Sequence, residues 1–408
     1  MDWIGETAKN AETKSRSIIQ NDEAINYFYA GNDDFTVYTI DTRFPKIYND
    51  NNLGVYDLDR IVEFSNADFL NIIPKEHVDQ DQDYDGLFGT FLTWLSQYAG
   101  MKTGDFYHAA PFILLEHYFY FDILRGLGLK KDPYRGSKDR ALVDYREGFS
   151  HLVAGYDRRF VGLGRIKHGD KIELIRSNIY GCTSGNTTDL SQDVSIRQLV
   201  RPEMLRDHTD RFLEYIVKNP LSKMDILVDN SGVELLTDVI LSMNLIDCGY
   251  ARTVYLRTKV LPVYVSDTVV SEYGDDVRLV ADEIRKYSPE MYDRLSGYLR
   301  EGRIVVKPDL FWNMPNDFKN FHHLFRRIIG KSDLVIVKGD LNFRRLVEDK
   351  KWDDGLKWSE AISYFSYPVL SLRTIKSSCL VDVSENEKEK IGITDKTNGI
   401  YGTILFKE

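Results

Sequence analysis

The sequence has few of the features that mark extracellular or membrane proteins. Its 408 residues include only three cysteines, widely spaced and without a CxxC pair. This spacing suits reduced thiols and predicts neither a disulfide framework nor a zinc site. The most apolar stretch, residues 109–120, is interrupted by ionisable side chains and is shorter than the about 20 residues of a membrane span. The first residues show no secretory pattern, so we expect a cytoplasmic protein without a membrane partner.

Acidic residues outnumber basic ones. Lys and Arg number 53 against 63 Asp and Glu, and no Lys/Arg block offsets the net charge of −10. Non-specific nucleic-acid binding depends on neutralising phosphates, so we expect no nucleic-acid partner. Any phosphate pocket must be built locally, from a few placed cations and backbone N–H groups.

The apolar pattern differs between the two halves of the chain. Residues 90–98 and 106–127 have apolar positions at three- and four-residue spacing, which predicts helices. From about residue 221, short β-branched runs alternate with helical patterns, which predicts an α/β fold with a largely parallel sheet. We therefore expect a mainly helical N-terminal domain over residues 1–200 and an α/β catalytic domain over residues 201–408.

In such a sheet, ligands bind outside the carboxyl ends of the strands. Polar residues that follow separate strands should therefore meet in one crevice. The predicted strands are 224–228, 254–256 with 262–265, 304–306, 334–337, 369–372, 380–383 and 403–406.

The strongest local motif is Asp229-Asn230-Ser231-Gly232. Two oxygen ligands followed by a glycine turn into a helix can hold a hard cation and a phosphate together, although a capped turn explains these residues equally well. Asp267 ends another predicted strand and could add a third oxygen, but a lone Asp there is more often a helix cap. Such ligands suit Mg²⁺ or Mn²⁺ better than zinc.

Charged and amide side chains are dense in the segment Lys338 to Arg345, just after an apolar strand. Arg344 could grip phosphate oxygens with its fork, while Asp340 and Asn342 could address a water or sugar hydroxyls. Arg373 and Lys376 offer two more cations, although a surface basic pair is an equally good interpretation. The acidic run at residues 81–86 lacks the glutamate of a calcium loop and is interpreted as a solvated turn.

At these positions the chain resembles the damage-control phosphatase family, in the subfamily with a C-terminal Arg-Thr-x-Lys motif. The joint order of the motifs over most of the chain is highly specific. The matching residues are Thr42-Arg43-Phe44-Pro45, Pro111, Glu116-x-Tyr118-x-Tyr120, Asp132-Pro133-Tyr134, Gly185-Asn186-x-x-Asp189-Leu190-Ser191, Asp229-Asn230-x-Gly232-x-Glu234, Val265-Ser266-Asp267, Lys338 to Arg344, Leu372-Arg373-Thr374-x-Lys376 and Tyr401-Gly402.

The resemblance implies a Rossmann-like α/β/α sandwich with a helical N-terminal domain, and phosphatase activity on a small phosphorylated metabolite such as fructose 1-phosphate or fructose 6-phosphate. It implies a divalent ion (Mn²⁺, Mg²⁺, Co²⁺ or Ni²⁺) on Asp229, Asn230 and Asp267. The implied substrate-binding residues are Asn186, Glu234, Asp340, Leu341, Asn342, Phe343, Arg344, Arg373 and Lys376. The chain departs from the family at Ser184, Arg257, Phe343 and Phe44, where Trp, His, Tyr and Trp are expected, which leaves room for a substrate other than a hexose phosphate.

The hypothesis is phosphomonoester hydrolysis with Asp229, Asp340 and Lys376 as catalytic residues. Lys376 and Arg344 balance the phosphate charge, Asp340 or Asp229 orients the attacking water, and an aspartyl phosphate on Asp229 is an open second route. One alternative is a carboxyl methyltransferase that uses S-adenosylmethionine, for which the sequence shows no glycine-rich loop after a first strand. The other is a non-catalytic sugar-phosphate-binding protein.

Overall fold

The structure, a computed structural model, describes residues 27–74, 84–128, 131–160, 168–185, 201–353 and 355–408. The first part of the described chain is helical. Its helices are α1 (Asp34–Tyr38), a π-helical turn (Thr39–Arg43), α2 (Phe44–Asp50), α3 (Asn66–Ile72), α4 (Tyr84–Ser96), α5 (Thr103–Ala109), α6 (Phe112–Leu127), α7 (Arg135–Asp144), α8 (Arg146–Phe160) and α9 (His168–Gly185).

Both predicted N-terminal helices are present, but the second is divided. Residues 106–127 fall into α5 and α6, which are separated at Ala110 and Pro111. A residue before proline is driven into an extended conformation, and Ala110 has φ −88° and ψ 153°. Gly128 ends α6 in the left-handed conformation, with φ 51°.

The second part of the chain forms a seven-stranded sheet. Its order is β1-β9-β8-β7-β2-β3-β6, and all neighbours are parallel except β8 and β9. The strands are β1 (Glu203–Asp207), β2 (Leu221–Leu227), β3 (Ala251–Thr258), β6 (Ile304–Pro308), β7 (Leu334–Lys338), β8 (Val369–Thr374) and β9 (Tyr401–Lys407), with a separate hairpin of β4 (Val270–Ser271) and β5 (Gly274–Asp275). The carboxyl ends of β2, β7 and β8 therefore lie at one edge of the sheet.

Helices between the strands cover both faces of this sheet. They are α10 (Thr209–Lys218), α11 (Val233–Cys248), α12 (Asp276–Tyr287), α13 (Pro289–Arg300), a 3₁₀ turn (Leu310–Asn313), α14 (His322–Ile329), α15 (Gly339–Leu346), α16 (Trp358–Ala361), α17 (Glu385–Lys390) and α18 (Ile393–Asn398). No helix in the described part of the chain is long and apolar enough to cross a membrane.

Two predicted strands are not strands. The backbone of residues 260 and 261 is bound by the side chain of Asn313, which accepts both N–H groups at 3.0 and 3.1 Å, so residues 262–265 continue as a loop. Residues 380–383 contain Asp382 in the left-handed conformation, with φ 60°, which is incompatible with a regular strand. Leu380 and Val383 are nevertheless buried, in a small cluster with Ile375.

The core consists of two large apolar clusters, one on each face of the sheet. Alternation along β7 sends Val335 and Val337 into one cluster and Leu334 and Ile336 into the other. The first cluster includes buried side chains from residues 28–134, and the second includes those from residues 145–182. The α/β class and the helical N-terminal region are confirmed, and helices of that region contribute to both faces.

Candidate active site

Asp229 and Asn230 lie just beyond β2 and are 6% and 4% exposed. Gly232, with φ 70°, turns the chain into α11, which begins at Val233. Glycine adopts this backbone conformation without the steric cost of a Cβ atom. Two side-chain oxygen donors therefore stand beside the N-terminus of a long helix, where partial positive charge favours anions.

Backbone contacts bring a distant loop to the end of β2. Ser231 donates its N–H to the carbonyl of Ser266 at 2.7 Å, and Asn230 and Asp267 form an isolated antiparallel bridge. Asp267, which is 1% exposed, is held beside Asn230 in this way. The structure thus brings together the three residues predicted as metal ligands.

A lysine that the sequence analysis did not single out lies between two of these side chains. The Lys259 ammonium is 3.4 Å from Oδ1 of Asp229 and in closer contact with Oδ1 of Asp267. Burial raises the pKa of Asp267, and Lys259 only partly opposes that shift. Burial lowers the pKa of Lys259, but the two carboxylates outweigh burial and the pKa is raised overall. Its place directly after β3 was the signal that could have identified it.

A chain of hydrogen bonds extends from Asn230 into the protein interior. Asn230 Nδ2 donates to Oε2 of Glu234 at 2.9 Å, while Lys338 Nζ donates to Oε1 of Glu234 at 2.9 Å. The same ammonium lies 2.8 Å from Oδ1 of Asp238, whose pKa is raised by burial to about 6 against the opposing effect of Lys338. Glu234 was predicted to contact substrate, but these contacts of its carboxylate are with protein groups and fix the orientation of Asn230.

These ionisable groups form one connected set, which we call the acidic cluster. These ion pairs join four carboxylates to two ammonium groups. Carboxylate oxygens are also the donors that a hard divalent cation prefers. The members of the acidic cluster are Asp229, Glu234, Asp238, Asp267, Lys259 and Lys338.

The donor set fits a hard divalent ion. Asp229, Asn230 and Asp267 present only oxygen atoms as possible ligands, as Mg²⁺ and Mn²⁺ prefer. Within the described ranges, no group of three or more His, Cys, Asp and Glu side chains is arranged to hold a metal. The fit therefore depends on the amide oxygen of Asn230 as a third donor, and the metal site stays a prediction.

A second buried set of charges, the balanced cluster, lies behind Asp267. Lys138 is 2.8 Å from Asp132 and 3.2 Å from Asp276, and Arg135 is 3.3 and 2.8 Å from the same two carboxylates. Lys138 also donates to the backbone carbonyl of Asp267 at 2.6 Å. The charges of the two cations and the two buried carboxylates cancel, so this cluster has no net charge that would attract a ligand.

Gly339, the first residue of α15, joins the acidic cluster to the next group of predicted residues. A Cβ atom at this position would lie 1.9 Å from Oδ2 of Asp229, and the φ of +82° also favours glycine. The backbone at the start of α15 therefore touches the Asp229 carboxylate. Asp340 follows immediately.

Asp340 is bound from β8 and from the loop beyond it. Its Oδ1 accepts the Nε–H of Arg373 at 2.8 Å and the backbone N–H of Lys376 at 3.1 Å. Burial opposes ionisation, but Arg373, Arg344 and this N–H outweigh it and hold the pKa of Asp340 below its ordinary value. The Arg373 guanidinium stacks 4.1 Å from the ring centre of Phe343. Asp340 is thus an ionised carboxylate that fixes the backbone of Lys376, itself 5% exposed.

Arg344, predicted to grip phosphate, has protein partners in this structure. It donates Nε and NH2 to the two oxygens of Asp349 at 2.8 and 2.9 Å, and NH1 to Glu116 at 2.7 Å. Three of its five N–H groups are used in this way. Asn342 donates to the carbonyl of Lys338 at 2.9 Å. Leu341 is half-buried, and Phe343 lies beneath Arg373.

The N-terminal helices add polar side chains that the sequence analysis did not place in the site. Tyr264 donates its N–H to Oδ2 of Asp267 at 2.9 Å, and its hydroxyl lies 3.0 Å from Nδ1 of His117 and 3.5 Å from Glu116. Burial lowers the pKa of His117 well below its ordinary value, and the nearby cations act in the same direction. The motif that begins at Glu116 was a signal for this wall, but its partner Tyr264 was not recognised.

Asn186, predicted to bind substrate, lies outside the described residues. The end of α9 just before it packs closely on α11, because a Cβ atom on Gly185 would lie 3.1 Å from Cα of Glu234. Arg257, which stands where the family commonly has His, donates to the fully buried Asp225 at 2.6 Å. That departure is accommodated by an ion pair inside the sheet.

The fold and this strand-end constellation are those of an α/β protein with an oxygen-lined site at the carboxyl edge of its sheet. Residues 46–391 match the family model described as the damage-control phosphatase ARMT1-like domain. The chain therefore belongs to the damage-control phosphatase ARMT1-like family.

Curated relatives and one solved structure are similar to this chain. The chain is 27% identical to damage-control phosphatase ARMT1 of Xenopus laevis, over 72% of this chain and 74% of the relative. It is 24% identical to the protein of the same name from Danio rerio, over 73% of each chain. A crystal structure of a DUF89 family protein from Pyrococcus horikoshii covers 78% of this chain and 90% of its own, with 16% identity and a TM-score of 0.38.

Proposed function

We propose that this protein is a metal-dependent phosphatase that hydrolyses phosphomonoesters of small metabolites. The observation that carries the proposal is the acidic cluster, in which four carboxylates pair with two ammonium groups. Gly339 brings this cluster into backbone contact with the segment of Asp340, which binds Arg373 and the backbone of Lys376. A divalent ion satisfies the first group and a phosphate the second. Membership of a family whose relatives are named phosphatases supports the same function.

Asp229, Asn230 and Asp267 would hold the ion, which supplies electrophilic activation of a phosphate oxygen when bound. Glu234 keeps the Asn230 amide oriented, because it accepts from Nδ2 at 2.9 Å. Tyr264 does the same for Asp267 through its backbone N–H. These supports reduce the reorganisation that the ligands need before the reaction.

Lys376 is assigned to balance the phosphate charge. Asp340 is ionised and fixes the Lys376 backbone, and it can also accept a hydrogen bond from an attacking water. Asp229 is the other candidate for that water, or for direct attack to give an aspartyl phosphate. The stereochemistry at phosphorus separates these routes, because direct attack by water inverts the configuration of an isotopically chiral phosphate group, whereas the two displacements of the covalent route retain it.

Arg344 is assigned a supporting role in place of direct phosphate binding. Its contacts with Glu116 and Asp349 link α15 to α6, on the side of the site where Tyr264 lies. The substrate is therefore expected between the carboxyl edge of the sheet and the N-terminal helices. Sugar phosphates such as fructose 1-phosphate and fructose 6-phosphate are the first candidates.

The test is phosphate release over a panel of sugar phosphates and other phosphometabolites with Mg²⁺, Mn²⁺, Co²⁺ or Ni²⁺. We expect release that EDTA abolishes and added metal restores. The control is a variant with Asp81, Asp83 and Asp85 changed to Asn, which removes acidic side chains outside the proposed ligand set and should stay within a few-fold of the parent. Full release by metal-stripped protein in EDTA, or no release with any metal, would contradict the proposal.

A further inference from the structure

A cavity of about 340 Å³ lies at the end of the sheet opposite to the candidate active site. β1 and β9 run parallel and end there, whereas β8 runs antiparallel to β9 and begins there. We call it the basic cavity, because four cations and two carboxylates are among its lining residues. The cations are Arg206, Arg211, Lys357 and Lys407, and the carboxylates are Asp382 and Glu408.

Two of these cations are paired with carboxylates. Arg206 donates to both oxygens of Glu387 at 2.9 and 3.0 Å, and Lys357 lies 3.3 Å from Oδ1 of Asp382. Asp382 has a left-handed backbone, with φ 60°, and its other oxygen accepts the backbone N–H of Trp358 at 3.4 Å. These contacts fix one wall of the cavity, so an anion would depend on the other two cations.

Lys407 is a half-buried ammonium that makes no ion pair with any described residue, the exposed Glu408 beside it included. Its Nζ donates to the backbone carbonyls of Ile362 and Phe365 at 2.9 and 3.2 Å. Carbonyl groups carry no net charge, and burial lowers the pKa of Lys407. An ammonium has three N–H donors. One donor and the positive charge therefore remain for an anion.

Arg211 and His208 add further donors at the start of α10. Arg211 is exposed and makes no ion pair or side-chain hydrogen bond within the described ranges. Nδ1 of His208 accepts the N–H of Phe406 at 3.1 Å, and burial and the nearby Arg211 lower the pKa of His208. The neutral ring thus carries its proton on Nε2, where it can be donated to a ligand. The N-terminus of α10 adds partial positive charge.

Trp358 provides an observation that is independent of charge. This residue lines the cavity and is 1% exposed, and no described group accepts a hydrogen bond from its Nε1–H. Most buried donors in proteins have a partner, because a donor without one is costly. A ligand oxygen that reaches this N–H would satisfy it.

We propose that the basic cavity is a second ligand site, which binds the phosphate group of a small organic phosphate. Lys407, Arg211 and the Nε2–H of His208 bind the phosphate oxygens, since cationic donors form strong hydrogen bonds with phosphate. The volume is larger than an inorganic phosphate needs and falls in the range of about 300 to 1,000 Å³ that is common for small-molecule sites. The proposal does not depend on the proposed catalytic function, because the two sites share no residue.

The indole N–H signal of Trp358 in a ¹H–¹⁵N spectrum tests the proposal, and Trp358→Phe assigns this signal among the five tryptophans. The protein in EDTA is titrated with inorganic phosphate and, separately, with the phosphonate analogue of glucose 6-phosphate, whose C–P bond a phosphatase does not hydrolyse. We expect a saturable shift with both probes and tighter binding of the phosphonate, because its sugar occupies the rest of the cavity. Lys407→Met should weaken binding of both probes at least about tenfold.

Lys376→Met is the control for binding at the candidate active site and should leave the Trp358 titration unchanged. If Lys407→Met is insoluble, Arg211→Met decides, because this exposed position should tolerate the change and a few-fold weaker binding is expected. The absence of a saturable shift, a titration unchanged by the deciding variant, or a shift that Lys376→Met removes would overturn the proposal. Equal affinity for the two probes would identify free phosphate as the ligand and overturn the assignment to an organic phosphate.

Discussion

Two buried sets of charges lie on either side of Asp267, and they differ in balance. In the balanced cluster, Arg135 and Lys138 neutralise two buried carboxylates, and only the exposed Asp139, 3.8 Å from Arg135, adds a further charge at the surface. In the acidic cluster, four carboxylates share two ammonium groups. Similar residue types thus produce one set with equal numbers of cations and buried carboxylates and one set in which carboxylates outnumber the ammonium groups.

The comparison separates a structural role from a ligand-binding role on physical grounds. Removing one member of a balanced buried network should strongly lower the free energy of unfolding, because an unpaired charge remains in the interior. Removing a carboxylate from a network with excess negative charge should reduce the repulsion among the remaining carboxylates. It should also weaken the binding of a cation. Stability and activity should therefore respond in opposite ways to the same substitution in the two clusters.

The largest expected effect is on activity, from Asp229→Asn in the acidic cluster. Loss of a metal ligand should slow phosphate release by more than about 10³-fold, equivalent to about 4 kcal/mol. The melting temperature of the metal-free protein should stay the same or rise, because a negative charge is removed from a cluster that has an excess. Turnover and thermal melting of the metal-free and metal-loaded forms test this. A large loss of stability would show that Asp229 is a structural carboxylate.

The same change in the balanced cluster, Asp276→Asn, should act chiefly on stability. It leaves Lys138 and Arg135 with one buried carboxylate, and breaking such a pair costs about 3 kcal/mol or more. Urea unfolding measures this, and metal affinity of the folded fraction should be close to that of the parent. An unfolding free energy within about 0.5 kcal/mol of the parent would show that the balance of charges does not stabilise this cluster.

Lys376→Met tests the cationic part of the proposed site and leaves every member of both clusters in place. Removal of one preorganised charge contact typically costs about 10²- to 10³-fold in rate, and the methionine keeps a similar apolar stem. Melting temperature and metal content should match those of the parent, because an ammonium is not a metal ligand. Unchanged phosphate release would exclude Lys376 from the site.

Asp238 should give the acidic cluster a pH dependence that the balanced cluster lacks. Its folded pKa of about 6 lies above the about 3.9 of an unfolded Asp, so between these values the folded state binds more protons. The contribution of Asp238 to stability is therefore present at low pH and is lost as the pH rises through about 6, with a slope of at most about 1.4 kcal/mol per pH unit. Unfolding free energies of the parent and Asp238→Asn should diverge over this window. Parallel pH curves would contradict the assignment.

The smallest effect is expected at an ion pair outside both clusters. Arg206 makes two hydrogen bonds to Glu387, at 2.9 and 3.0 Å, and these bonds with those of Ser384 lower the pKa of Glu387 to about 2. Water screens this pair, because both side chains are 29% exposed. Glu387→Gln should therefore cost no more than about 1 kcal/mol in urea unfolding. A cost equal to that of Asp276→Asn would show that burial is not what separates these ion pairs.

The sequence was most informative where a residue's role follows from its position after a strand. Asp229 and Asp340 were identified by that logic, and so was Asp267, although the strand predicted before it is a loop. All three lie near the carboxyl ends of β2 and β7. Lys259 also follows a strand directly, but its partners Asp229 and Asp267 are brought to it by the contacts of a loop that the sequence did not predict. Arg344 was expected to bind phosphate, and the sequence could not show that Glu116 and Asp349, which lie in separate parts of the chain, bind its guanidinium.

The errors in the predicted strands have a similar origin. Residues 262–265 have the β-branched composition of a strand but form a loop. The Asn313 side chain binds the backbone N–H groups of residues 260 and 261 just before them. β1 was not predicted because three of its five residues are charged, and it pairs only with β9 at the edge of the sheet. Local pattern thus located the central strands, where burial on both faces demands apolar residues, and failed where tertiary hydrogen bonds decide the backbone.

The contact between Gly339 and Asp229 has a consequence for how proteins with this site can diverge. A Cβ atom at position 339 would overlap the Asp229 carboxylate, so main-chain atoms set the interval between the proposed metal ligands and the proposed phosphate-binding residues. Point substitution cannot lengthen that interval gradually. Changes of substrate must then come from the surrounding wall, through positions such as Leu341 and Tyr264, while the reacting distance stays constant. In evolutionary terms, we expect related proteins to keep the backbone of this site and to change their specificity through the surrounding side chains.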